Sequence, residues 1–447
     1  MTIRIDRRSF LHNTAAAGMG LILSNTASAQ PQESKNEDIK IGLIGAGTQG
    51  GVLLSTLVRM GKESGLHVKA VCDIWEEMSL KRTLGMLAKF RYQAKGYVDY
   101  QDMLSAESDL DAVIIATPDF CHAEQTIACL KAGLHVYCEA PMSNSIEDAR
   151  KMAQATEETG KLLQIGHQRR SNERYIHCFE NLIHGTKILG QVTAVNAQWN
   201  QLAHTDRGWP KKKMLSEETL KRYGYDSMHQ FKNWMWYKKL GAGPAVDFGA
   251  HQIDVINWFL GIPPKAIIAS GGTYYYDNKT HQWYDTVMAI LEYETSKGKV
   301  SVQYQSITTN GYGGHFEVFM GDEGSLELSE SPNKVGVYRS PQVRDWDKWV
   351  RLGFLEREAT QEVNKKEEEG IIQAQETQPP AKYYIPVKLK DPRHKAHLEN
   401  FFNAIRGKAP LSCPAETAYA STVTALKINE AVECGKPVSL APKDLKI

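Results

Sequence analysis

Asp247 and His251 stand four residues apart in a glycine-rich segment of the chain, Gly241–Asp254. In a helix this spacing places two side chains on one face, so a carboxylate and an imidazole could both contact a bound molecule. Imidazole is the side chain best suited to proton transfer near neutral pH. The same residues also fit structural roles, Asp247 as a helix N-cap and His251 as a hydrogen-bonded helix side chain. The spacing alone therefore identifies a candidate pair and leaves both roles open.

A glycine turn close to the beginning of the chain predicts a second kind of chemistry, the binding of a dinucleotide. The strand-like run Ile39–Ile44 leads into this turn, and a helical pattern follows it. Glycines spaced in this way permit a tight turn, close approach of backbone N–H groups to a pyrophosphate, and close packing of helix on strand. A second strand ends in Asp73, where a carboxylate accepts hydrogen bonds from ribose hydroxyls and repels a 2′-phosphate, which favours NAD over NADP. The alternative for Asp73 is a helix cap. The residues predicted to contact the cofactor here are Gly45, Ala46, Gly47, Thr48, Gln49, Gly50 and Asp73.

Two further strand–helix units must position this turn. Asp111–Ala116 is a near-continuous apolar strand that leads into the Thr117-Pro118-Asp119 turn, and His135–Glu139 is another strand. Apolar runs of this kind are typical of strands that are buried on both faces of a parallel sheet. We therefore predict an α/β fold whose first domain, residues 38–160, is a doubly wound Rossmann sheet with the cofactor across the carboxyl ends of its strands.

Three blocks in the same order resemble the Gfo/Idh/MocA family of NAD(P)-dependent oxidoreductases over nearly the whole chain. The family patterns are A-T-P-x-x-x-H, A-G-K-H-V-x-x-E-K-P and G-G-G-x-x-x-D-x-G-x-H-x-x-D, and they match Ala116–His122, Ala132–Pro141 and Gly241–Asp254. The resemblance implies NAD-dependent oxidation of a carbohydrate hydroxyl, with Asp247 and His251 beside the substrate and His251 as the acid/base. It adds further residues to those expected around the cofactor, namely Ala116, Thr117, Pro118, His122, Glu139, Ala140 and Pro141.

The resemblance also implies that residues 161–447 form an α/β domain with a large, mostly antiparallel open sheet, often used for homo-oligomerisation. The segment from Glu356 to Gln378 is charged and predicts a solvated insertion, and Arg393–Cys434 predicts two amphipathic helices. β-Branched content and turn residues predict the strands Gln191–Ala197, Ala266–Gly271, Thr286–Tyr293, Lys299–Ile307, Phe316–Gly321 and Gly324–Glu330.

Substrate contacts are expected from two places. One is the strand end at residues 164–170, and the other is a segment between residues 199 and 237 that is rich in aromatic residues. Aromatic rings there could stack on the C–H faces of a pyranose while polar groups bind its hydroxyls. The individual candidates are His167, Gln168, Arg169, Trp236, Tyr237 and Lys238.

The chain departs from the family pattern at Ala140, which replaces the lysine of E-K-P. A dehydrogenase would then need its positive charge from another residue. A redox-neutral NAD-dependent glycosidase is the alternative; such enzymes oxidise a sugar hydroxyl, eliminate the aglycone, add water and reduce the sugar again. A non-catalytic NAD-binding protein is the third interpretation, disfavoured because Asp247 and His251 are retained. The candidate replacement cations are Lys238, Lys239, Arg169 and Arg170.

The N-terminal segment predicts export. Arg7-Arg8-Ser9-Phe10-Leu11, a short apolar run and Ala27-Ser28-Ala29 resemble a twin-arginine signal cleaved near Ala29, with a Sec signal as the alternative and the periplasm as the destination. The run is too short to span a bilayer. Because free NAD is scarce outside the cytoplasm, an exported enzyme would have to carry its NAD tightly bound.

Charge and cysteine usage exclude several other partners. A formal net charge of +1 gives no basis for nucleic-acid binding. The seven cysteines lack C-x-x-C spacing, and they predict buried free thiols rather than a disulfide framework or a metal site. The partner that the family resemblance implies is a small-molecule sugar or glycoside.

Overall fold

A computed structural model describes residues 38–202, 206–357 and 380–447. The described residues form a six-stranded parallel sheet ordered 3-2-1-4-5-6, and its order reverses between the first and fourth strands. A reversal of this kind opens a crevice at the carboxyl ends of the two strands. The strands are β1 (Ile39–Ile44), β2 (Leu66–Cys72), β3 (Lys95–Tyr97), β4 (Ala112–Ile115), β5 (His135–Cys138) and β6 (Leu163–Ile165).

Helices connect these strands and cover the sheet. β4 is buried along its whole length, as expected for an Ala-Val-Ile-Ile strand between two helical layers. The side chains of Asp99 and Ser145 accept backbone hydrogen bonds at two helix N-termini, which explains where those helices begin. The helices are α1 (Thr48–Met60), α2 (Lys81–Lys89), α3 (Tyr100–Ala106), α4 (Asp119–Lys131) and α5 (Ile146–Thr159), with a π-helical turn at Glu76–Leu80 before α2.

The described residues also form a ten-stranded sheet. Its strand pairs are antiparallel except for one, in which Val192–Asn200 and Gly298–Ile307 run parallel. Burial alternates strictly along Thr286–Thr295, so this sheet packs one face on helices and leaves the other exposed. Its strands are β7 (Val192–Asn200), β8 (Ala266–Gly272), β9 (Thr286–Thr295), β10 (Gly298–Ile307), β11 (His315–Gly321), β12 (Gly324–Leu328), β13 (Gly336–Arg339), β14 (Glu356–Arg357), β15 (Ala381–Tyr384) and β16 (Val438–Ser439).

The helices of the second half serve both sheets. Leu398, Phe401 and Phe402 pack into the same core as β1, so a helix near the end of the chain completes the first domain. The longest helix, Ala415–Cys434, contacts α5 and β8. The helices are α6 (Glu173–His177), α7 (Glu217–Arg222), α8 (Met228–Lys232), α9 (Pro244–Asp247), α10 (Gly249–Leu260), α11 (Asp347–Arg351), α12 (Lys395–Ile405) and α13 (Ala415–Cys434), with a π-helical turn at Cys178–Gly185.

The predicted α/β fold class, a parallel Rossmann sheet plus a large and mostly antiparallel sheet, is confirmed. β6 extends the parallel sheet beyond residue 160, the predicted end of the first domain. All seven cysteines are free, and five are buried, whereas Cys121 is half-buried and Cys434 is exposed. Most of the predicted insertion, residues 358–378, and the predicted signal at residues 1–29 lie outside the described residues. Within the described ranges, no helix has the length and apolarity needed to cross a membrane.

Candidate active site

A cavity of about 910 Å³ joins the two candidate sites of the sequence. Its lining includes Gly45 and Asp73 at the strand ends of the first sheet. It also includes Asp247 and His251 from α9 and α10. The glycine turn and the Asp–His pair, about 200 residues apart in the sequence, therefore face one space.

The glycine turn has the geometry that a dinucleotide requires. Gly45 has φ +92°, and a Cβ there would lie 2.6 Å from the Ala116 carbonyl oxygen. A Cβ on Gly50 would lie 1.9 Å from the Gly45 oxygen, so that position also requires glycine. A Cβ on Gly47 would meet nothing within 4 Å, which leaves open cavity where a phosphate would approach the start of α1.

Asp73 fixes this turn from the end of β2. Its Oδ2 accepts a hydrogen bond from Ala46 N at 2.8 Å, and its Oδ1 accepts one from Trp75 N at 2.7 Å. Burial raises the pKa of Asp73 to about 6, although these N–H groups, Arg82 and Lys232 oppose the rise. The carboxylate therefore lies at the expected ribose position with two cations close to it.

The aromatic segment of the second domain covers this end of the cavity. Trp75 packs in one cluster with Tyr225, Met228 and Trp236, and its Nε1 donates to Lys213 O at 2.6 Å. Trp236 is almost completely buried in this cluster, so the segment forms a hydrophobic cover over the Asp73 end of the cavity.

Asp247 and His251 occupy the opposite end of the cavity. Gly243, with φ +83°, turns the chain, and Pro244 starts the short helix α9 that ends at Asp247. The His251 ring lies 5.5 Å from the His167 ring, and its Nδ1 is buried without a hydrogen-bond partner. Burial, His167 and Arg169 lower the pKa of His251 well below its usual value. His251 is therefore neutral at pH 7.

Asp119, in the turn that follows β4, adds a second carboxyl group to this end of the cavity. Its Oδ2 accepts a hydrogen bond from Ala242 N at 2.9 Å, and its carboxyl group contacts that of Asp247. Burial raises the pKa of both groups, and their mutual repulsion raises that of Asp247 well above its usual value. Two carboxyl groups in contact cannot both be ionised, so the pair holds a proton at neutral pH.

Comparison with known proteins agrees with this architecture. Residues 39–167 match the model of an oxidoreductase family with an NAD-binding Rossmann fold, and residues 186–327 match the Gfo/Idh/MocA C-terminal domain. The chain belongs to the Gfo/Idh/MocA family. Its first domain is accordingly an NAD-binding domain of an oxidoreductase.

Proteins that resemble this chain are named for different activities. Inositol 2-dehydrogenase of Salmonella typhimurium (strain LT2) is 26% identical over 317 residues, which cover 69% of this chain and 80% of that protein. A glycosyl hydrolase family 109 protein of Shewanella amazonensis is 23% identical over 406 residues, which cover 80% and 83%. The WlbA dehydrogenase of Bordetella pertussis, solved with NADH and UDP-GlcNAcA, superimposes with a TM-score of 0.66 at 17% identity, covering 91% of this chain and 98% of that chain. This last likeness shows the common fold.

The E-K-P position of the family lies in the cavity wall. Ala140 contributes a methyl group there, and its bond to Pro141 is cis. The neighbouring Glu139 accepts a hydrogen bond from Gln49 Nε2 at 2.9 Å, and the same amide lies 3.4 Å from His394 Nε2. His394 also lines the cavity, so an imidazole from the start of α12 lies near the position without lysine.

Two of the proposed replacement cations, Arg169 and Arg170, are engaged elsewhere. Arg169 is 1% exposed and forms ion pairs with Glu317 and Glu330. Arg170 forms two hydrogen bonds to Asp254, at 2.8 and 2.9 Å. Neither guanidinium group belongs to the cavity lining. Asp254 therefore pairs with Arg170 and not with His251.

Of the remaining residues that the sequence predicted as substrate contacts, only some line the cavity. Gln168 lines the cavity, whereas His167 lies behind His251 as a buried ring with no hydrogen bond from either nitrogen. Tyr237 donates or accepts a hydrogen bond at His229 Nδ1, 2.7 Å away, and Lys238 forms an exposed ion pair with Glu433. The structure brings Gln168 to the site and places Trp236, Tyr237 and Lys238 outside the cavity lining.

The expected cofactor contacts fall into two groups. The lining contains Gly45, Gly47, Thr48, Gln49, Asp73, Ala116, Thr117, Pro118, His122, Glu139 and Ala140, whereas Ala46, Gly50 and Pro141 lie behind it.

The sequence reasoning missed Asp119 and His394. Asp119 carried a usable signal, because it is a carboxylate in the turn that follows the carboxyl end of a central strand, where ligands bind in parallel sheets. His394 carried no such signal, since only tertiary packing of α12 brings it to the cavity.

Proposed function

We propose that the protein is an NAD-dependent oxidoreductase that oxidises a carbinol of a carbohydrate or glycoside. One observation carries this proposal: Asp247 and His251 line the same cavity as Gly45, Gly47 and Asp73. The cavity volume lies within the range of about 300–1,000 Å³ that is typical of sites for small molecules and cofactors. Inositol 2-dehydrogenase, and the WlbA dehydrogenase solved with NADH and UDP-GlcNAcA, support a polyhydroxylated substrate.

The residues of the chain divide the work between binding and proton transfer. The turn at residues 45–48 would hold the pyrophosphate of NAD, and Asp73 would hold its ribose hydroxyls. NAD, when bound, supplies the acceptor for the hydride. The neutral His251 accepts the hydroxyl proton, as a general base does in alcohol oxidation. Trp199 offers its ring as an apolar wall for the sugar beside His251.

A two-step experiment tests this function. The purified protein is denatured and examined by mass spectrometry for nucleotide, and the native protein is then screened with sugars and polyols while the absorbance of NADH is followed. Co-purifying NAD and substrate-dependent NADH or ketosugar support the proposal. A protein that contains no nucleotide and does not bind NAD at millimolar concentration contradicts it.

A redox-neutral glycosidase is the second candidate. Ala140 in place of the family's lysine favours it, as does the likeness to the glycosyl hydrolase family 109 protein over 80% of the chain. Its signature is a hydrolysed glycoside without net NADH, whereas the dehydrogenase yields a ketosugar or net NADH. Binding of NAD without any turnover would indicate the third candidate, a non-catalytic NAD-binding protein.

Export to the periplasm belongs to this proposal and rests on the sequence from Arg7 to Ala29. Cell fractionation should find the mature protein in the periplasm, and changing Arg7 and Arg8 to lysine should retain the precursor in the cytoplasm. Fractionation of both forms with the cytoplasm would contradict export.

Homo-oligomerisation through the second sheet is also part of the proposed function. Ile268 and Ile290 are directly paired across β8 and β9 on the outer face, and both are exposed together with Met288. Light scattering after size exclusion should show an oligomer that Ile290→Glu dissociates. A monomeric parent protein would contradict this part.

A further inference from the structure

His122 is buried between two turns of the cofactor cleft, and both of its ring nitrogens face carbonyl oxygens. Nδ1 lies 3.0 Å from Pro141 O, and Nε2 lies 2.9 Å from Thr117 O. A neutral imidazole has one N–H and one lone pair, so one of these contacts would oppose two lone pairs. Only the imidazolium donates both hydrogen bonds. Burial lowers the pKa of His122, but Cys138, Asp119 and the Pro141 carbonyl raise it to about 10. The two carbonyl acceptors therefore favour the imidazolium form of His122.

Asp119 is the carboxylate that this cation favours in its ionised form. It begins α4, so the His122 ring three residues later shares its side of the helix. Its Oδ2 already accepts the hydrogen bond from Ala242 N. The positive end of the helix dipole adds to the same effect. Three separate features therefore stabilise a negative charge on Asp119.

Asp247 lacks the first two of these features. Both of its carboxyl oxygens are buried and accept no hydrogen bond from an N–H or O–H group of the described residues, and Asp119 is the charged group that it faces. Tyr304 also lies near Asp247, but its hydroxyl donates to Ala245 O and burial raises its pKa, so it stays neutral. Burial likewise keeps the Cys121 thiol neutral by raising its pKa. His251 is also neutral, so no neighbour gives Asp247 a positive charge.

We propose that Asp119 and His122 are positioning residues that keep a proton on Asp247, so that the single Asp247 O–H, which faces Asp119 in the unliganded protein, turns to the oxygen of the sugar carbinol and donates a hydrogen bond to it. This inference rests on the proposed oxidation. The hydride leaves the carbinol carbon with the two electrons of the C–H bond, and the hydroxyl proton moves to His251. The Asp247 O–H stabilises the forming carbonyl oxygen and keeps its own proton. It thereby takes the role that an ammonium group would have at position 140.

Infrared difference spectroscopy reports the Asp247 proton without any turnover. At pH 7 the parent protein should show a carboxylic-acid C=O band that disappears in Asp247→Asn. In Asp119→Asn the band should vanish at a lower pH than in the parent, because Asp247 stays buried but the Asn amide removes the Asp119 charge and donates a hydrogen bond to Asp247 through its nitrogen. Asp285→Asn is the matched control. Asp285 is buried outside the cavity and accepts backbone hydrogen bonds from Tyr275 and Tyr276, so this variant should keep the band.

The pH dependence of turnover gives a second readout. Activity requires protonated Asp247, so it is present below the pKa of Asp247 and is lost as the pH rises through it. Asp119 raises that pKa. Asp119→Asn should therefore move the alkaline limb of kcat/KM to lower pH and lower kcat about 10- to 100-fold with little change in KM. Asp119→Glu keeps a carboxyl group and should retain the limb.

The outcomes separate this inference from the proposed function. If sugar is oxidised but the parent protein lacks a band that depends on Asp247, the inference is wrong and the function stands. If the band behaves as expected but no sugar or glycoside is oxidised, the proposed function is wrong and the carboxyl pair stands. Asp119→Asn that lowers activity without moving the alkaline limb has only a structural effect, and this result also overturns the inference.

Discussion

The two ends of the cavity are built by different means. At the Asp73 end, backbone groups form the site, since the turn at Gly45 and Gly47 offers N–H groups and the Asp73 carboxylate holds the turn through the hydrogen bond from Ala46 N. At the His251 end, side chains from separate parts of the chain form the site, and Asp119, Asp247 and His251 meet only in the folded protein.

This difference determines which amino-acid substitutions each end of the cavity tolerates. A backbone site needs glycine where a Cβ would collide and leaves little freedom elsewhere, so it is preserved as a short motif. A side-chain site can exchange one proton donor for another, as the loss of lysine at Ala140 beside a protonated Asp247 illustrates. The Asp73 end therefore identifies the class of protein, and the His251 end determines which reaction it catalyses.

His251→Ala should have the largest effect, because it should lower turnover at the His251 end and leave NAD binding at the Asp73 end unchanged. Removal of a general base typically lowers turnover by about 10²–10⁴-fold. NAD binding should persist, because the turn at Gly45 and the Asp73 carboxylate are unchanged. Steady-state kinetics measure the loss of turnover, and the nucleotide content of the purified variant measures the retention of NAD. Turnover within about threefold of the parent, well short of a general-base contribution, would mean that the base lies elsewhere.

Arg169→Met tests whether this buried cation holds the fold rather than the substrate. Its loss leaves Glu317 and Glu330 buried without their partner, which should lower the free energy of unfolding by about 3–5 kcal/mol. Lys238→Met is the matched control, because its ion pair with Glu433 is exposed and is worth at most about 1 kcal/mol. Denaturant unfolding of both variants measures the difference. Unchanged stability in Arg169→Met would reopen its role as a substrate contact.

Asp73→Ser should affect only the cofactor end. Hydrogen bonds to a charged group contribute about 1.5–3 kcal/mol, so the preference for NAD over NADP should fall about 10- to 100-fold. Arg82 and Lys232 already lie near this carboxylate and would face a 2′-phosphate without any added residue. Titration of both nucleotides gives the ratio. A constant ratio would show that another group selects the ribose.

The same contrast explains how much the sequence could predict. β4 and β9 were predictable because one is continuously apolar and the other alternates strictly. β13 and β15 were not predicted, because their residues are neither continuously apolar nor strictly alternating, and these strands form through their partners in the sheet. The fold class and the glycine turn therefore followed from local pattern.

The catalytic end was only partly predictable for a related reason. A charged residue after a strand looks the same whether it binds a ligand or pairs inside the core, and the partners of Arg169 lie 148 and 161 residues away in the sequence. The role of Asp247 was identified through the family motif, whereas its contact with Asp119 depends on how two domains pack. Protonation is a property of that packing and has no signature in the sequence.

Ala140→Lys has the smallest expected effect and tests whether Asp247 has taken over the role of lysine. An ammonium at position 140 would donate a charge-assisted hydrogen bond to the sugar oxygen, so a dehydrogenase should keep kcat within about tenfold of the parent. The informative variant is the double change Asp119→Asn with Ala140→Lys, because the ammonium should restore the turnover that Asp119→Asn alone loses. Ala140→Met, of similar length but uncharged, is the control and should restore nothing. Equal turnover in the lysine and methionine double variants would mean that the site does not need a proton donor at this oxygen. Loss of glycoside cleavage in Ala140→Lys would instead favour the glycosidase, whose leaving group needs the space that the methyl group leaves free.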